Sequence, residues 1–323
     1  MKRVIYNKVG GPEVLEIQEA PIPTIKKNEV LVRMLATSVN GGDLGLRRGD
    51  SKLVAKLTKY PQVMGIDVVG VVDHIGANVT DFKVGDKVWG NCGPNKGTTA
   101  EYFAVPASKI ALLPDGLDPI KAAAIPTAGI TALTALLKNG KLKKGEKVLI
   151  RGVGGVGLTG VQISKAHGAH VTALCSGATT DGVKANGADE VFDYHKTKLD
   201  ELGQFDVIFD TVGTDLGALR KHLTKNGRLV TIAVASFMGD IMSVFYGKRR
   251  TRLALGFSNH EILNYLAKMV NKREIVPVID SVYPMEQIAE AHRRAEERGL
   301  LGKIVISIAD NNLLIKSTEK TSD

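Results

Sequence analysis

A glycine-rich segment, residues 152–157, carries the clearest chemical signal in the chain. Its sequence, Gly-Val-Gly-Gly-Val-Gly, satisfies the pattern G-x-G-x-x-G. In that pattern the first glycine allows a tight turn, the second lets the backbone approach a diphosphate, and the third lets a helix pack closely on a strand. Unpaired amides at the start of such a helix attract anions. The pattern therefore predicts a dinucleotide site formed by Gly152, Gly154, Gly155, Val156 and Gly157.

The elements around this segment are those that a dinucleotide site requires. An apolar strand at Lys147–Arg151 precedes it, and a helix at 158–167 and a second strand at 170–174 follow. Two more strands are predicted at 206–210 and 228–233. Such alternation is typical of a parallel sheet with helices on both faces. The alternatives are a purely structural turn and the glycine-rich turn of a methyltransferase. A methyltransferase would not explain the long β-rich segment before the motif.

The end of the second strand indicates which dinucleotide binds. An NAD site usually has an acidic residue there, which accepts hydrogen bonds from the ribose 2′-hydroxyl. This chain has Ser176, and no acid follows until Asp181. A small hydroxyl leaves room for a 2′-phosphate, which favours NADPH over NADH. The alternative is that Ser176 only ends a strand and that cofactor choice is set elsewhere.

The chain before residue 119 is rich in predicted strands. Residues 30–37 alternate with the period of a strand, residues 68–72 form a second strand around a glycine, and residues 84–88 form a turn that enters a third. Helical periodicity is scarce in this part of the chain. We therefore expect a β-rich domain before the glycine segment.

The chain after residue 258 returns to mixed elements. Helices are predicted at 261–270 and 285–298, and strands at 275–279 and 303–308. A polar tail follows at residues 311–323.

Composition excludes several classes of protein. The chain has 323 residues with 44% hydrophobic and 24% charged residues, which is ordinary for a globular protein. Two cysteines, Cys92 and Cys175, exclude a disulfide framework and a four-cysteine zinc module. We find no apolar run of membrane-spanning length and no signal peptide, so we expect a cytoplasmic protein.

The net charge of +9 raises the question of nucleic acid binding. The basic residues are scattered, apart from one cluster at 248–252, and no aromatic residues interleave with them as in a stacking platform. We interpret the charge as surface lysine and arginine, and nucleic acid is not an expected partner.

Taken together, several short phrases resemble the medium-chain dehydrogenase/reductase superfamily, in its zinc-independent quinone oxidoreductase (zeta-crystallin-like) branch. The resemblance extends from Met1 to about Ile308. The phrases are Ser38-Val39-Asn40-Gly41-Gly42-Asp43, Gly65-Ile66-Asp67-Val68-Val69-Gly70, Phe82-Lys83-Val84-Gly85-Asp86-Lys87-Val88, Thr99-Ala100-Glu101-Tyr102, Gly187-Ala188-Asp189-Glu190-Val191-Phe192-Asp193-Tyr194, Phe209-Asp210-Thr211-Val212-Gly213 and Gly302-Lys303-Ile304-Val305-Ile306.

The resemblance implies an α/β fold of two domains. A GroES-like, β-rich catalytic domain would comprise residues 1–122 and 259–310, and a doubly wound Rossmann domain, residues 123–258, would be inserted in it. Relatives are commonly dimers, so a homodimer is expected. The resemblance also implies a set of cofactor contacts besides the glycine segment: Ser176, Tyr194, Val212, Ala233 and Phe257.

Zinc-dependent members of the superfamily bind their catalytic metal through cysteine, histidine and cysteine. At the corresponding positions this chain has Asn40, Ile66 and Ala124. Isoleucine offers no donor atom, so no catalytic zinc is expected.

The resemblance implies three residues at the reaction site. The amide of Asn40 would hydrogen-bond the nicotinamide ribose or the substrate carbonyl, the alternative being that Asn40 only caps a turn. Asp43 occupies a family position near the site, and Thr127 would contact the nicotinamide end. Asp67 is expected to make an ion pair that shapes the cleft. No residue is identified as the proton donor, and solvent water is the default.

The predicted function is metal-free transfer of hydride from NADPH to a quinone or an α,β-unsaturated carbonyl compound. Such an acceptor needs only hydrogen-bond donors to stabilise the charge that develops on oxygen. The alternatives are a metal-free alcohol or aldehyde oxidoreductase, and an NADPH-binding protein that binds RNA and has little catalytic activity.

Overall fold

The structure is a computed structural model that describes residues 1–94, 96–233 and 251–308. Most of the predicted basic cluster at 248–252 and the predicted polar tail at 311–323 lie outside these residues. Thr251 and Arg252 are the described members of the cluster, and the guanidinium of Arg252 donates to the carbonyl oxygen of Asn139.

A six-stranded, entirely parallel sheet begins at Lys147. Its strands are β9 (Lys147–Arg151), β10 (His170–Cys175), β11 (Glu190–Asp193), β12 (Phe205–Asp210), β13 (Leu223–Thr231) and β14 (Arg252–Leu253). The spatial order β11-β10-β9-β12-β13-β14 is the order 3-2-1-4-5-6 of a doubly wound dinucleotide-binding sheet. The predicted parallel sheet is confirmed.

Both faces of this sheet are covered. Along β9, Val148 and Ile150 belong to one buried apolar cluster, while Leu149 between them belongs to another. Because successive side chains of a strand point to opposite faces, these clusters lie on opposite sides of the sheet. The helices between the strands are α5 (Gly155–Ala166), α6 (Thr180–Ala185) and α7 (Leu216–Leu219).

The β-rich part consists of two sheets. Seven strands form the larger one: β3 (Glu29–Ser38), β5 (Asp67–Ile75), β6 (Lys87–Asn91), β7 (Tyr102–Pro106), β8 (Ile110–Leu112), β15 (Ile279–Pro284) and β16 (Lys303–Ser307). The smaller sheet contains β1 (Lys2–Tyr6), β2 (Leu15–Glu19) and β4 (Gln62–Val63). The last strand, β16, pairs antiparallel with β3 and places Ile306 opposite Thr37. The C-terminal strands therefore complete the sheet that the N-terminal part begins.

The expectation of few helices before residue 119 is wrong for two segments. These are α1 (Gly41–Arg48) and α2 (Lys52–Leu57). The first contains three glycines and two arginines, so its sequence lacks a continuous apolar stripe. Further helices that the sequence did not reveal are α3 (Pro119–Ala122) and α4 (Pro126–Leu133), which a π-helical turn continues at Thr134–Asn139.

The C-terminal predictions hold except for one strand. The predicted helices correspond to α8 (His260–Asn271) and to α9 (Ile288–Glu296), which follows a single 3-10 turn. The predicted strand at 275–279 is wrong except at Ile279, which begins β15. The backbone N–H of Val276 donates to Oε1 of Gln162 at 2.8 Å, so a side chain satisfies this segment in place of a neighbouring strand.

One apolar stretch corrects the expectation that no run reaches membrane-spanning length. Pro119–Asn139 has the length and composition of such a run. However, 72% of its most apolar window is buried inside the protein. Burial of this kind is typical of a core helix in a globular protein.

Arg47, in α1, is fully buried and joins three parts of the chain. Its guanidinium donates to the carbonyl oxygen of Gly10 (2.6 Å) and to Nδ1 of His292 (3.3 Å), and it pairs with the carboxylate of Glu296. Burial, assisted by the charge of Arg47, lowers the pKa of His292 to about 3, so the imidazole stays neutral and accepts the hydrogen bond. These contacts attach α1 to α9 and to the N-terminal segment.

Candidate functional site

The glycine segment lies where the order of the parallel sheet reverses, between β9 and β12. Gly152 has a φ of +83°, a conformation that favours glycine, and a Cβ there would lie 2.3 Å from Oγ1 of Thr211, directly after β12. A Cβ on Gly157 would lie 2.1 Å from the carbonyl oxygen of Gly152. Two of the three roles predicted for the glycines, the tight turn and the close packing, are thus visible in the geometry.

The space for a ligand opens at Gly154. A Cβ built on this residue meets no atom within 4 Å. Gly154 directly precedes α5, and no side chain caps that helix end. The first amides of the helix, those of Gly155, Val156 and Gly157, therefore face a region in which an anion fits well.

Four predicted cofactor contacts lie at the same edge of the sheet, because they follow the carboxyl ends of neighbouring parallel strands. Ser176 follows β10, Tyr194 follows β11, Val212 follows β12, and Ala233 follows β13. Val212 lies closest to the turn, since its Cγ2 would be 2.8 Å from a Cβ on Gly152. The structure places these four residues at the edge of the sheet where the glycine turn lies, and Val212 lies directly beside the turn.

The fifth predicted cofactor contact, Phe257, lines a groove beside two helices. Its side chain is 71% exposed and lines a groove of about 840 Å³ with Leu133, Leu137, Leu255 and Ile262. The structure therefore places this predicted cofactor residue beside α4 and α8.

A carboxylate lies beside the end of β10 although none follows it in the sequence. Oδ2 of Asp193, the last residue of β11, would be 2.5 Å from a Cβ on Gly177, the neighbour of Ser176. Its other oxygen accepts the backbone N–H of His195 at 3.0 Å. The sequence could not reveal this acid, because it comes from the adjacent strand.

A loop from a distant part of the chain also lies near Ser176. The loop after α9 passes so close that a Cβ on Gly299 would lie 3.9 Å from Oγ of Ser176. The preceding residue, Arg298, is exposed. Arg298 is thus the neighbour of a residue that lies close to the side chain of Ser176.

The predicted reaction-site residues Asn40 and Thr127 meet at the buried carboxylate of Asp67. Oδ2 of Asp67 accepts from Oγ of Ser38 (2.5 Å) and Nδ2 of Asn40 (2.9 Å). Oδ1 accepts from the backbone N–H (2.8 Å) and Oγ1 (2.5 Å) of Thr127, at the start of α4. We refer to Ser38, Asn40, Asp67 and Thr127 as the Asp67 cluster.

This geometry corrects the expected ion pair of Asp67. Among the described residues no cation contacts its carboxylate, and Lys303 reaches it only through Asn40. Nζ of Lys303 donates to Oδ1 of Asn40 at 2.5 Å and to the carbonyl oxygen of Val39 at 2.7 Å. Four hydrogen bonds from neutral groups satisfy the carboxylate instead.

The structure also changes the interpretation of Asn40 and Thr127. Both amide hydrogens of Asn40 are already donated, one to Asp67 and one to the carbonyl oxygen of Ser38 at 3.0 Å. The hydroxyl of Thr127 donates to Asp67 and accepts from Nδ2 of Asn91 at 2.6 Å. These groups therefore have internal partners, and the predicted direct contacts with substrate or nicotinamide would require that they exchange them.

Asp43 holds the backbone next to the Asp67 cluster. Its carboxylate accepts the backbone N–H of Asn40 (3.1 Å) and that of Gly65 (3.3 Å). Burial raises the pKa of Asp43 to about 7, and the neighbouring charge of Asp67 acts in the same direction. The two amides and Lys303 oppose this rise only in part.

The raised pKa of Asp43 predicts a pH-dependent stability. Because the folded pKa of about 7 lies above the usual pKa of 3.8, the contribution of Asp43 to the free energy of unfolding is full below pH 3.8 and is lost as the pH rises from there to about 7. The free energy of unfolding of Asp43→Asn, minus that of the native chain, should therefore increase with pH across this window, by at most about 1.4 kcal/mol per pH unit. Urea denaturation at a series of pH values measures it. A flat difference curve would contradict the prediction, and the same substitution at exposed Asp115 is the control.

Comparisons with known proteins agree with this architecture. Residues 26–115 match the family model of the alcohol dehydrogenase GroES-like domain, and residues 186–306 match that of zinc-binding dehydrogenases. Quinone oxidoreductase of Sus scrofa is 34% identical and covers 95% of this chain and 97% of its own. NADPH-dependent alkenal/one oxidoreductase of Arabidopsis thaliana, a chloroplastic protein, is 32% identical. That match covers 95% of this chain and 79% of the relative.

Solved structures give the same result. The crystal structure of Escherichia coli quinone oxidoreductase complexed with NADPH has a TM-score of 0.83 to this chain at 25% identity. The superposition covers 95% of this chain and 100% of the chain in that crystal structure.

Proposed function

This chain belongs to the quinone oxidoreductase branch of the medium-chain dehydrogenase/reductase superfamily and is an NAD(P)H-dependent oxidoreductase. We propose that it transfers hydride from NADPH to a quinone or an α,β-unsaturated carbonyl compound without a metal ion. The glycine turn at the reversal point of the parallel sheet supports this most directly. The open space at Gly154 and the uncapped start of α5 suit a diphosphate.

The proposed substrates match the chemistry that the chain can supply. Bound NADPH supplies the hydride. When hydride adds to the β-carbon of an enone, negative charge moves to the carbonyl oxygen, where hydrogen-bond donors or water can stabilise it. Oxidation of a simple alcohol instead requires stabilisation of an alkoxide, which zinc provides as a Lewis acid in related enzymes. The relative named for alkenals and alkenones supports the same substrate class.

The side chains at the family's zinc positions do not fit a zinc ion. Ile66 and Ala124 are buried and have no donor atom, and Oδ1 of Asn40 already accepts from Lys303. Within the described parts of the chain, no group of three or more His, Cys, Asp or Glu side chains is arranged to hold a metal.

Removal of metals should therefore leave turnover unchanged. After exhaustive dialysis against a chelator, we expect NADPH-dependent reduction to stay within about twofold of the untreated rate, because the chemistry proposed here uses no Lewis acid. Metal analysis of the dialysed protein is the control. Loss of turnover that added zinc restores would overturn this part of the proposal.

The preference for NADPH is supported by Ser176 and by Arg298 on the neighbouring loop. Asp193, which lies beside Gly177, is the nearby group that would repel a 2′-phosphate. NADPH should nevertheless bind more tightly than NADH, and equal or tighter binding of NADH in a titration would reject the preference.

Arg298→Gln should weaken NADPH binding about tenfold and leave NADH binding unchanged, because a charge-assisted hydrogen bond to phosphate contributes about 1.5–3 kcal/mol. Fluorescence titration with both cofactors measures the effect. Lys225→Gln removes an exposed cation near the start of β13, at the end of the strand away from Ala233. It should change the Kd of neither NADPH nor NADH. An equal loss for NADH in Arg298→Gln would show that Arg298 does not contact the 2′-phosphate.

The direct test of the function is NADPH consumption against a panel of quinones, enones, enals and simple aldehydes. We expect turnover with quinones or enones and little with saturated aldehydes. If none of the acceptors is reduced, the proposed function is wrong, and salt-dependent retention on RNA would then favour the RNA-binding alternative. The expected homodimer and the cytoplasmic location stay predictions, and the chloroplastic relative shows that location varies within the family.

A further inference from the structure

The side chain of Lys303 connects the glycine turn to the Asp67 cluster. Lys303 is the first residue of β16 and is only 6% exposed. Its ammonium donates to Oδ1 of Asn40 at 2.5 Å and to the carbonyl oxygen of Val39 at 2.7 Å. One end of this buried side chain is thereby fixed to the segment that leads into α1.

The aliphatic part of the same side chain lies against the glycine turn. A Cβ on Gly155 would be 2.3 Å from Cδ of Lys303 and 2.8 Å from Cγ. The pattern G-x-G-x-x-G does not require glycine at this position, which is its fourth. We attribute the additional glycine to Lys303, whose methylene groups occupy the space that a side chain at 155 would need.

The position of the ammonium also determines the orientation of Asn40. An ammonium group only donates, so the atom of Asn40 that faces it must be the oxygen. The nitrogen is then directed to Ser38 and Asp67, where both of its hydrogens are used. Without the ammonium, Oδ1 of Asn40 would lose this hydrogen bond in a buried site, and Asp67 would lose its electrostatic interaction with the buried charge of Lys303.

We propose that Lys303 is a positioning residue that couples occupancy of the glycine turn to the Asp67 cluster. At Gly155 the backbone touches Lys303 with no intervening side chain, so a displacement or stiffening of the first turn of α5 acts directly on the lysine stem. The ammonium passes the change to Val39 and Asn40. Coupling of this kind is reciprocal, so a change at the Asp67 cluster must also change the affinity for the cofactor.

This inference rests on the proposed function only in requiring that the turn binds NADPH. Hydrogen exchange with and without NADPH tests it, and the readout does not depend on turnover. In the unmodified chain, NADPH should slow exchange both in the turn and in residues 39–43. In Lys303→Met, which keeps the stem and loses the ammonium, NADPH should slow exchange in the turn alone. We also expect the Kd for NADPH to rise about threefold to tenfold.

Lys109→Met is the matched control. Nζ of Lys109 also joins two segments, by donating to the carbonyl oxygen of Ser258 at 3.1 Å, but it lies outside both sites. In this variant NADPH should still slow exchange in residues 39–43. If Lys303→Met keeps that response as well, Lys303 has a purely structural role and the inference is overturned.

Gly155→Ala tests the other end of the contact and does not remove the ammonium. Its methyl group should displace the lysine stem, weaken NADPH binding and reduce the response of residues 39–43. Combined with Lys303→Ala, which frees the space, the same substitution should add no further loss of NADPH affinity. If Gly155→Ala is equally harmful with and without the stem, the contact does not carry the coupling.

The two proposals fail separately. A chain that binds NADPH with the coupled response but reduces no quinone or enone contradicts the proposed function alone. A chain that reduces these acceptors while residues 39–43 do not respond to NADPH contradicts the inference alone.

Discussion

Gly154→Ala should reduce the affinity for NADPH about 100-fold while leaving the stability of the free protein nearly unchanged. A Cβ at this position meets no protein atom within 4 Å, and the backbone is extended (φ −84°, ψ −154°) without the positive φ that favours glycine. The folded chain therefore tolerates the methyl group. A diphosphate held by the amides at the start of α5 would occupy the same space, and the clash then affects only the complex.

Two further glycine variants make this result specific. Gly157→Ala places a methyl group 2.1 Å from the carbonyl oxygen of Gly152, so it should lower the melting temperature as well as the affinity. At Gly217, in α7, an added Cβ would meet no atom closer than 3.8 Å, so Gly217→Ala should change neither the melting temperature nor the affinity. Cofactor titration and thermal unfolding measure both quantities. If NADPH binds Gly154→Ala as tightly as the native chain, the diphosphate does not lie where we place it.

Arg47→Met should destabilise the protein by about 3 kcal/mol, because it removes a fully buried guanidinium that pairs with the 27%-exposed carboxylate of Glu296. Among the described residues, Glu296 then keeps only the longer pair with Arg48. The substitution also removes the hydrogen bonds that the carbonyl oxygen of Gly10 and Nδ1 of His292 receive. The melting temperature should fall by more than about 5 °C.

The neighbouring Arg48 provides the control for this prediction. Its side chain is 42% exposed, pairs with Asp50 at 2.7 Å and reaches Glu296 only at 3.5 Å, so Arg48→Met should cost less than about 1 kcal/mol. Thermal and urea unfolding of both variants distinguish the two cases. Equal losses of stability in Arg47→Met and Arg48→Met would show that burial of the ion pair does not decide its contribution.

The sequence predicted the cofactor-binding sheet well because its signals are local. Strands β9, β10 and β12 and the end of β13 are short apolar runs, and the glycine pattern directly follows β9. The sequence did not predict β11 and β14, which are short and contain charged residues. The resemblance then identified Asn40, Asp43 and Thr127, which the structure places in or beside one buried network. These inferences needed only patterns along the chain.

What the sequence did not reveal depends on partners far apart in the chain. Lys303 contacts Asn40 across 263 residues, so its role could not be derived from spacing, although it lies within one of the family phrases. The acid next to Ser176, Asp193, comes from an adjacent strand. The false strand at 275–279 resulted from an apolar segment whose N–H is satisfied by the side chain of Gln162.

The pairing of β16 with β3 has a consequence for biosynthesis. The parallel sheet is built from one continuous stretch, Lys147 to Leu253, which leaves the ribosome as a unit. The larger β-sheet stays incomplete until β16 is translated, and until then the end of β3 around Thr37 has an unpaired edge. A nascent chain that stalls before β16 would therefore expose a surface prone to association, while its nucleotide-binding half could already have folded.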